Sequence, residues 1–113
     1  MAEIQRAISI RQPFVEQILR GSKRLDYRSV PTNIRERVYL YASLKPRMEP
    51  ENWRGMKTTP DKLPKGMIVG SVEIVDCKPH RYGFAHKLAN PRRLRSPLNA
   101  VNHPNPLWWR PKF

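Results

Sequence analysis

Apolar and polar positions along this chain follow the two periods of regular structure. Ala7-Ile8-Ser9-Ile10 reads as a short strand. Phe14, Val15, Ile18 and Leu19 then fall on one stripe at three- and four-residue spacing, with Glu16, Gln17 and Arg20 outside it. That spacing predicts an amphipathic helix over residues 14–20. Pro13 suits the helix's first turn and Gly21 its end. Residues 37–42 predict a strand with Val38, Leu40 and Ala42 on one face and Tyr39 and Tyr41 on the other. Residues 66–77 form the strongest strand pattern. Ile68, Gly70, Val72 and Ile74 share one face, and Met67, Val69, Ser71, Glu73 and Val75 share the opposite one. Both faces are largely apolar, which predicts a central position in a sheet. Residues 82–88 and Leu107-Trp108-Trp109 predict further short strands. Between these lie turns at residues 30–33 and at the basic stretch 90–95. Residues 45–65 read as a long loop with one helical turn near Pro50, anchored by Trp53 and placed to cover a cleft.

Charge changes the picture from fold to partner. The chain has 113 residues, with 22 Lys and Arg against 9 Asp and Glu, a net charge of +13. Its length suits one domain with a real core. An excess of that size points to a polyanion, with nucleic acid foremost. The distribution is uneven: no Asp or Glu follows Asp76, whereas Lys78, Arg81, Lys87, Arg92, Arg93, Arg95, Arg110 and Lys112 do. Such one-sidedness favours a continuous electropositive face.

Other function classes recede. Cys77 is the only cysteine, so neither an internal disulfide nor a cysteine metal cluster is expected. His80, His86 and His103 lack metal-site spacing. No apolar run reaches membrane-spanning length and no signal peptide is legible, which implies a soluble cytoplasmic protein. The 12 prolines predict short elements joined by fixed loops.

The candidate chemistry concentrates in Gly21-Ser22-Lys23-Arg24-Leu25-Asp26-Tyr27-Arg28, with three cations and one carboxylate in eight residues. As a strand, it sets Leu25 and Tyr27 on one face and Arg24, Asp26 and Arg28 on the other. Asp26 can hold the neighbouring cations as a donor array for a phosphate, a carboxylate or a base edge. An ordinary salt-bridged strand would have the same composition. Glu73, in a strand apolar on both faces, either lies at the strand's wet end or needs a cation, with Lys23, Arg24 or Arg28 the expected partners. Tyr39, Tyr41 and one of Trp108 or Trp109 are candidate base-stacking surfaces, although such residues equally serve to cover a core.

These pieces, in this order, resemble the ASCH (activating signal cointegrator homology) family of the PUA-like superfamily. Ile8-Ser9-Ile10-Arg11-Gln12-Pro13-Phe14 is similar to the family's opening strand and Gln-Pro-aromatic helix start. Gly21-x-Lys23-x-x-Asp26-x-Arg28 is similar to its Gly-x-Lys-x-x-Glu-x-Arg signature, with Asp26 one methylene shorter than the usual Glu. Leu63-Pro64-Lys65-Gly66, Ile68-Val69-Gly70, Val75-Asp76-Cys77 and Asn90-Pro91-Arg92-Arg93-Leu94 follow in family order. Glu36 stands where the family often has a glycine.

The resemblance implies an α+β fold, a small PUA-like β-barrel with flanking short helices, spanning residues 1–113 as a single domain. It implies an RNA-binding role, with DNA possible, centred on a cleft lined by Lys23, Asp26 and Arg28 with Glu73 nearby. Arg24, Arg92, Arg93 and Arg95 complete the expected nucleic-acid contacts. Some relatives are amidohydrolases acting on N4-acetylcytidine, with a lysine, a threonine and a glutamate in the cleft. Lys23 matches that lysine, while Asp26 stands at the threonine position. An enzyme here would therefore use Lys23, Asp26 and Glu73, as an amidohydrolase or as a ribonuclease working through the Asp26–Glu73 carboxylate pair. A basic module meeting an acidic protein is the third reading. No cofactor, metal or membrane contact is expected, and the chain is expected to be a monomer.

Overall fold

The computed structural model describes residues 3–113. Its elements are β1 (Ala7–Ile10), α1 (Phe14–Leu19), β2 (Leu25–Arg28), β3 (Arg37–Ala42), α2 (Pro50–Trp53), β4 (Met67–His80), β5 (Gly83–Leu98) and β6 (Trp108–Trp109), with a short 3-10 turn at Pro60–Lys62. The strands make one six-stranded mixed sheet in the order β2-β5-β4-β3-β1-β6. Only β1 and β3 run parallel. β4 is central, as its two apolar faces require.

The α+β class agrees with the sequence reading, but the closed barrel does not form. β2 remains an edge strand, and no ladder joins it to β1. The sheet instead curls until Arg28 of β2 reaches the backbone of Ser9 in β1, and the gap between these strands becomes a seam.

Two apolar clusters sit on the two faces. α1 buries Val15 and Ile18 against Ile8, Ile10, Val38, Leu40, Val72, Ile74 and Leu88. On the other face Ala7, Tyr41, Ile68 and Trp109 pack together. The strict alternation expected along β4 breaks near its start. A bulge between Ile68 and Gly70 puts Ile68 in the second cluster and Val69 in the first, because one extra residue reverses which face the following side chains take. Gly70 also lets β5 approach closely: a Cβ there would meet the Arg92 carbonyl oxygen at 2.5 Å and Leu19 Cδ2 at 2.6 Å.

The largest departure lies in residues 90–95. These form no basic turn but continue β5, a strand of 16 residues. Asn90 takes a positive φ of 52°, and the pairing with β4 shifts between Ser71 and Glu73. The pyrrolidine of Pro91 and the left-handed Asn90 imitate a turn in sequence. The bulge absorbs both without breaking the strand.

The Gln-Pro entry to α1 has a plain mechanical role. Gln12 is buried, its Oε1 accepts from the Glu16 backbone N–H at 3.0 Å, and its Nε2 donates to the Pro64 carbonyl at 3.2 Å. One side chain thus satisfies an orphan donor of the first helical turn and ties the helix to the chain entering β4. Gly21, at φ 83°, ends the helix as expected.

Candidate nucleic-acid interface

Strand β2 is turned with its charged face inward. Asp26 pairs opposite His86 of β5 and is only 5% exposed, while Leu25 and Tyr27 face outward. A buried carboxylate requires a cation, and Arg28 supplies it, donating through Nε to Asp26 Oδ2 at 2.7 Å. The same guanidinium donates through Nη2 to the Ser9 carbonyl at 2.7 Å. Arg28 therefore bridges the two strands that the sheet leaves unpaired.

Beside this bridge opens a cavity of about 700 Å³, walled by the end of β1, the start of α1, β2 and residues 43–47. Its lining includes five cations, Arg11, Lys23, Arg28, Lys45 and Arg47, against the single carboxylate Asp26, which Arg28 already neutralises. Ile10, Phe14, Tyr27 and Leu44 supply apolar and aromatic surface. That combination fits an anion carrying a planar, weakly polar body.

Lys23 is the focus. Its Nζ lies 5.0 Å from the Phe14 ring centroid and 5.3 Å from that of Tyr27, so two aromatic rings hold the ammonium without consuming its donors. Among the described residues it has no ion-pair partner within 4.0 Å. Burial in the cavity pulls its pKa below the usual 10.5; Asp26 partly offsets this, and Arg28 adds to it. An ammonium in such a place gains more from an incoming anion than one in open water.

Hydrogen bonds fix the wall formed by residues 43–47. The backbone N–H groups of Ser43 and Arg47 donate to the carbonyls of Ile10 and Gln12 at 2.9 and 2.8 Å. Arg11 donates through Nε to the Lys45 carbonyl at 2.7 Å and through Nη2 to that of Pro46 at 3.0 Å. Trp53 Nε1 donates to the Arg47 carbonyl at 2.7 Å, the anchoring expected of it. Of the long 45–65 loop, only Lys45 and Arg47 line the cavity, so the loop flanks the cleft and does not cover it.

A model of the ASCH domain matches residues 8–94. The chain belongs to the ASCH domain family. No curated protein matches the chain.

Within this ASCH fold the other candidates separate. Glu73 does not meet Lys23, Arg24 or Arg28. It accepts from Arg37 at 3.2 Å and from Asn90 Nδ2 at 3.3 Å, beside a different cavity bordered by Arg35, Glu36 and Arg37. Register explains this: Glu73 pairs opposite Arg37 on β3 and Ala89 on β5, whereas Asp26 pairs opposite His86. The Asp26–Glu73 carboxylate pair is therefore not formed. Among the described residues no three His, Cys, Asp or Glu side chains assemble as a metal-binding group.

Arg93 is committed elsewhere. Its two Nη atoms donate to the two Glu16 carboxylate oxygens at 2.9 Å each. Glu16, placed outside the helix's apolar stripe, is nonetheless buried between Arg93 and Arg20. Arg24, Arg92 and Arg95 are exposed. Tyr41 is 7% exposed and packs edge-on against Trp109 at 5.2 Å, which leaves no face for a base. Tyr39 is half-buried, edge-on to Phe113 at 5.8 Å. Trp108 packs on the main core and Trp109 is buried. The exposed aromatic ring beside the cavity is instead Tyr27, half exposed and next to Lys23.

Sequence reading missed Phe14, Arg11, Lys45 and Arg47 as cavity residues. Phe14 carries a legible signal, since it opens the helix beside the Gln-Pro pair. Arg11 directly follows β1, while Lys45 and Arg47 reach the seam because the backbone of residues 43–47 bonds to Ile10 and Gln12.

Proposed function

We propose that this ASCH domain binds single-stranded or locally unpaired RNA, with one nucleotide seated in the seam cavity. The observation that carries the reading is the ammonium of Lys23, held by two aromatic rings in the cavity and without an ion-pair partner among the described residues. A nucleotide offers what that site lacks: phosphate for Lys23 and a planar base for Phe14 and Tyr27. Asp26 and Arg28 shape the seam, with part of the Arg28 guanidinium still facing the cavity. The net charge of +13 adds sequence-independent attraction, which weakens steeply with salt.

The test is fluorescence anisotropy of a labelled oligouridine, titrated with wild type and Lys23→Ala across a salt series. Wild type is expected to bind with a steep salt slope, and Lys23→Ala to lose affinity at every salt concentration. Equal binding by the two proteins would reduce the interaction to surface charge. A deoxyuridine strand of equal length, run in parallel, separates RNA from DNA preference. Binding that does not grow with strand length would favour an acidic protein as the partner.

A further inference from the structure

Tyr27 lines the seam cavity and also stands on the outer face of the ribbon formed by β2, β5 and the end of β4. Directly paired residues share a face. Leu25 lies opposite Lys87, and Lys87 opposite Asp76; Tyr27 lies opposite Ala85, and Ala85 opposite Lys78; Gly83 lies opposite His80. The outer face therefore carries Tyr27, Lys87, Lys78 and His80 together.

Small residues at Ala85 and Gly83 leave room between the aromatics, and the rings meet across that space. The Tyr27 and His80 ring centroids lie 4.8 Å apart, tilted by 36°. Tyr27 is 51% exposed, and His80 is exposed as well. Asp76 is the carboxylate on these rows, and Lys78 lies 3.8 Å from it. Lys87 stays exposed beside them, and the hairpin tip ends in Arg81 and a fully exposed Tyr82. An aromatic line thus runs from Phe14 and Lys23 in the cavity, over Tyr27, to His80, with cations alongside.

We propose that this outer face is the path of the RNA strand leaving the cavity, with a base stacked on His80 and the backbone running past Lys78 and Lys87. The proposal rests on the RNA reading of the cavity. Its occupant follows from charge complementarity and from continuity: Tyr27 belongs to both surfaces, so a strand with one nucleotide beside Lys23 meets His80 next. Stacking on exposed aromatics tolerates any base, so this face adds affinity with length and little sequence preference.

Two probes separate the surfaces: uridine 5′-monophosphate, which fits the cavity alone, and an oligouridine long enough to leave it. Lys78→Ala/His80→Ala removes the path and substitutes no residue that lines the cavity. Lys62→Ala, at an exposed lysine outside the cavity, is the charge control. The double variant is expected to lose roughly ten- to a hundredfold in oligouridine affinity relative to the control, with monophosphate affinity unchanged. The His80 ring-proton resonances of the wild type are expected to move upfield with oligouridine and to stay in place with the monophosphate. If Lys23→Ala loses oligouridine affinity while the double variant matches the control, the path is overturned and the cavity reading stands. If wild type binds neither probe, the cavity reading fails and the path fails with it.

Discussion

Arg28 donates to Asp26 and to the Ser9 carbonyl from one guanidinium, at 2.7 Å in each case. It is the side-chain link across the gap that backbone ladders leave between β2 and β1. Arg28→Ala leaves the buried Asp26 carboxylate without its cation and is expected to cost about 3 kcal/mol of stability. Urea unfolding should show this as a lower midpoint with little change in slope. Arg28→Lys should recover only part of the loss, because a single ammonium lacks the planar fork that serves both acceptors.

Lys23 loses its proton at a lower pH than an ordinary lysine. Burial lowers its folded pKa below 10.5, so the protonated form costs folding free energy. That cost is relieved as pH rises through the lowered pKa. Binding goes the other way, because a phosphate needs the ammonium. RNA affinity is expected to decline on alkalinisation at a lower pH than for an ordinary lysine, with proton uptake on binding over the pH range of that decline. Lys23→Arg should flatten the decline, and anisotropy titrations across a pH series measure it.

The Glu16–Arg93 pair is expected to act on stability and not on RNA. Arg93 is half exposed, and Arg20 also holds Glu16. Arg93→Ala should therefore cost only about 1–2 kcal/mol, with no greater loss of RNA affinity than Lys62→Ala. Burial raises the Glu16 pKa, but hydrogen bonds and charge from Arg93 and Arg20 outweigh it and hold the carboxyl below 4.5. The stability this gives is present above pH 4.5 and is lost as pH falls through the lowered folded pKa. The gap in melting temperature between wild type and Glu16→Gln should close over that interval.

Tyr41 and Trp109 close the second apolar cluster. Trp109→Ala should cost about 3–5 kcal/mol through the cavity it leaves. Tyr41→Phe keeps the edge-on packing and should leave RNA affinity unchanged. A clear loss of binding in Tyr41→Phe by anisotropy would contradict the placement of this side chain.

Local signals in the sequence were sufficient for β1, α1, β3 and a central β4, because each buries a stripe that follows its own period. The ASCH signature was legible for the same reason: Gly21, Lys23, Asp26 and Arg28 sit in a short window where spacing alone sets their relation. The curl of the sheet was not legible. Whether β2 closes onto β1 depends on backbone groups far apart in the chain, and the link proved to be one guanidinium on the Ser9 carbonyl. The partner of Glu73 was hidden because strand register decides it, and Arg37 lies opposite where Lys23 was expected. Arg93 looked like a free cation because Glu16, 77 positions away, shows no local sign of being buried. Sequence thus determined the elements and the charge; tertiary structure decided which charges are spent on the fold and which, like Lys23, keep no ion-pair partner among the described residues. The physical reason is that periodicity is local, whereas pairing a buried charge is a contact between distant strands.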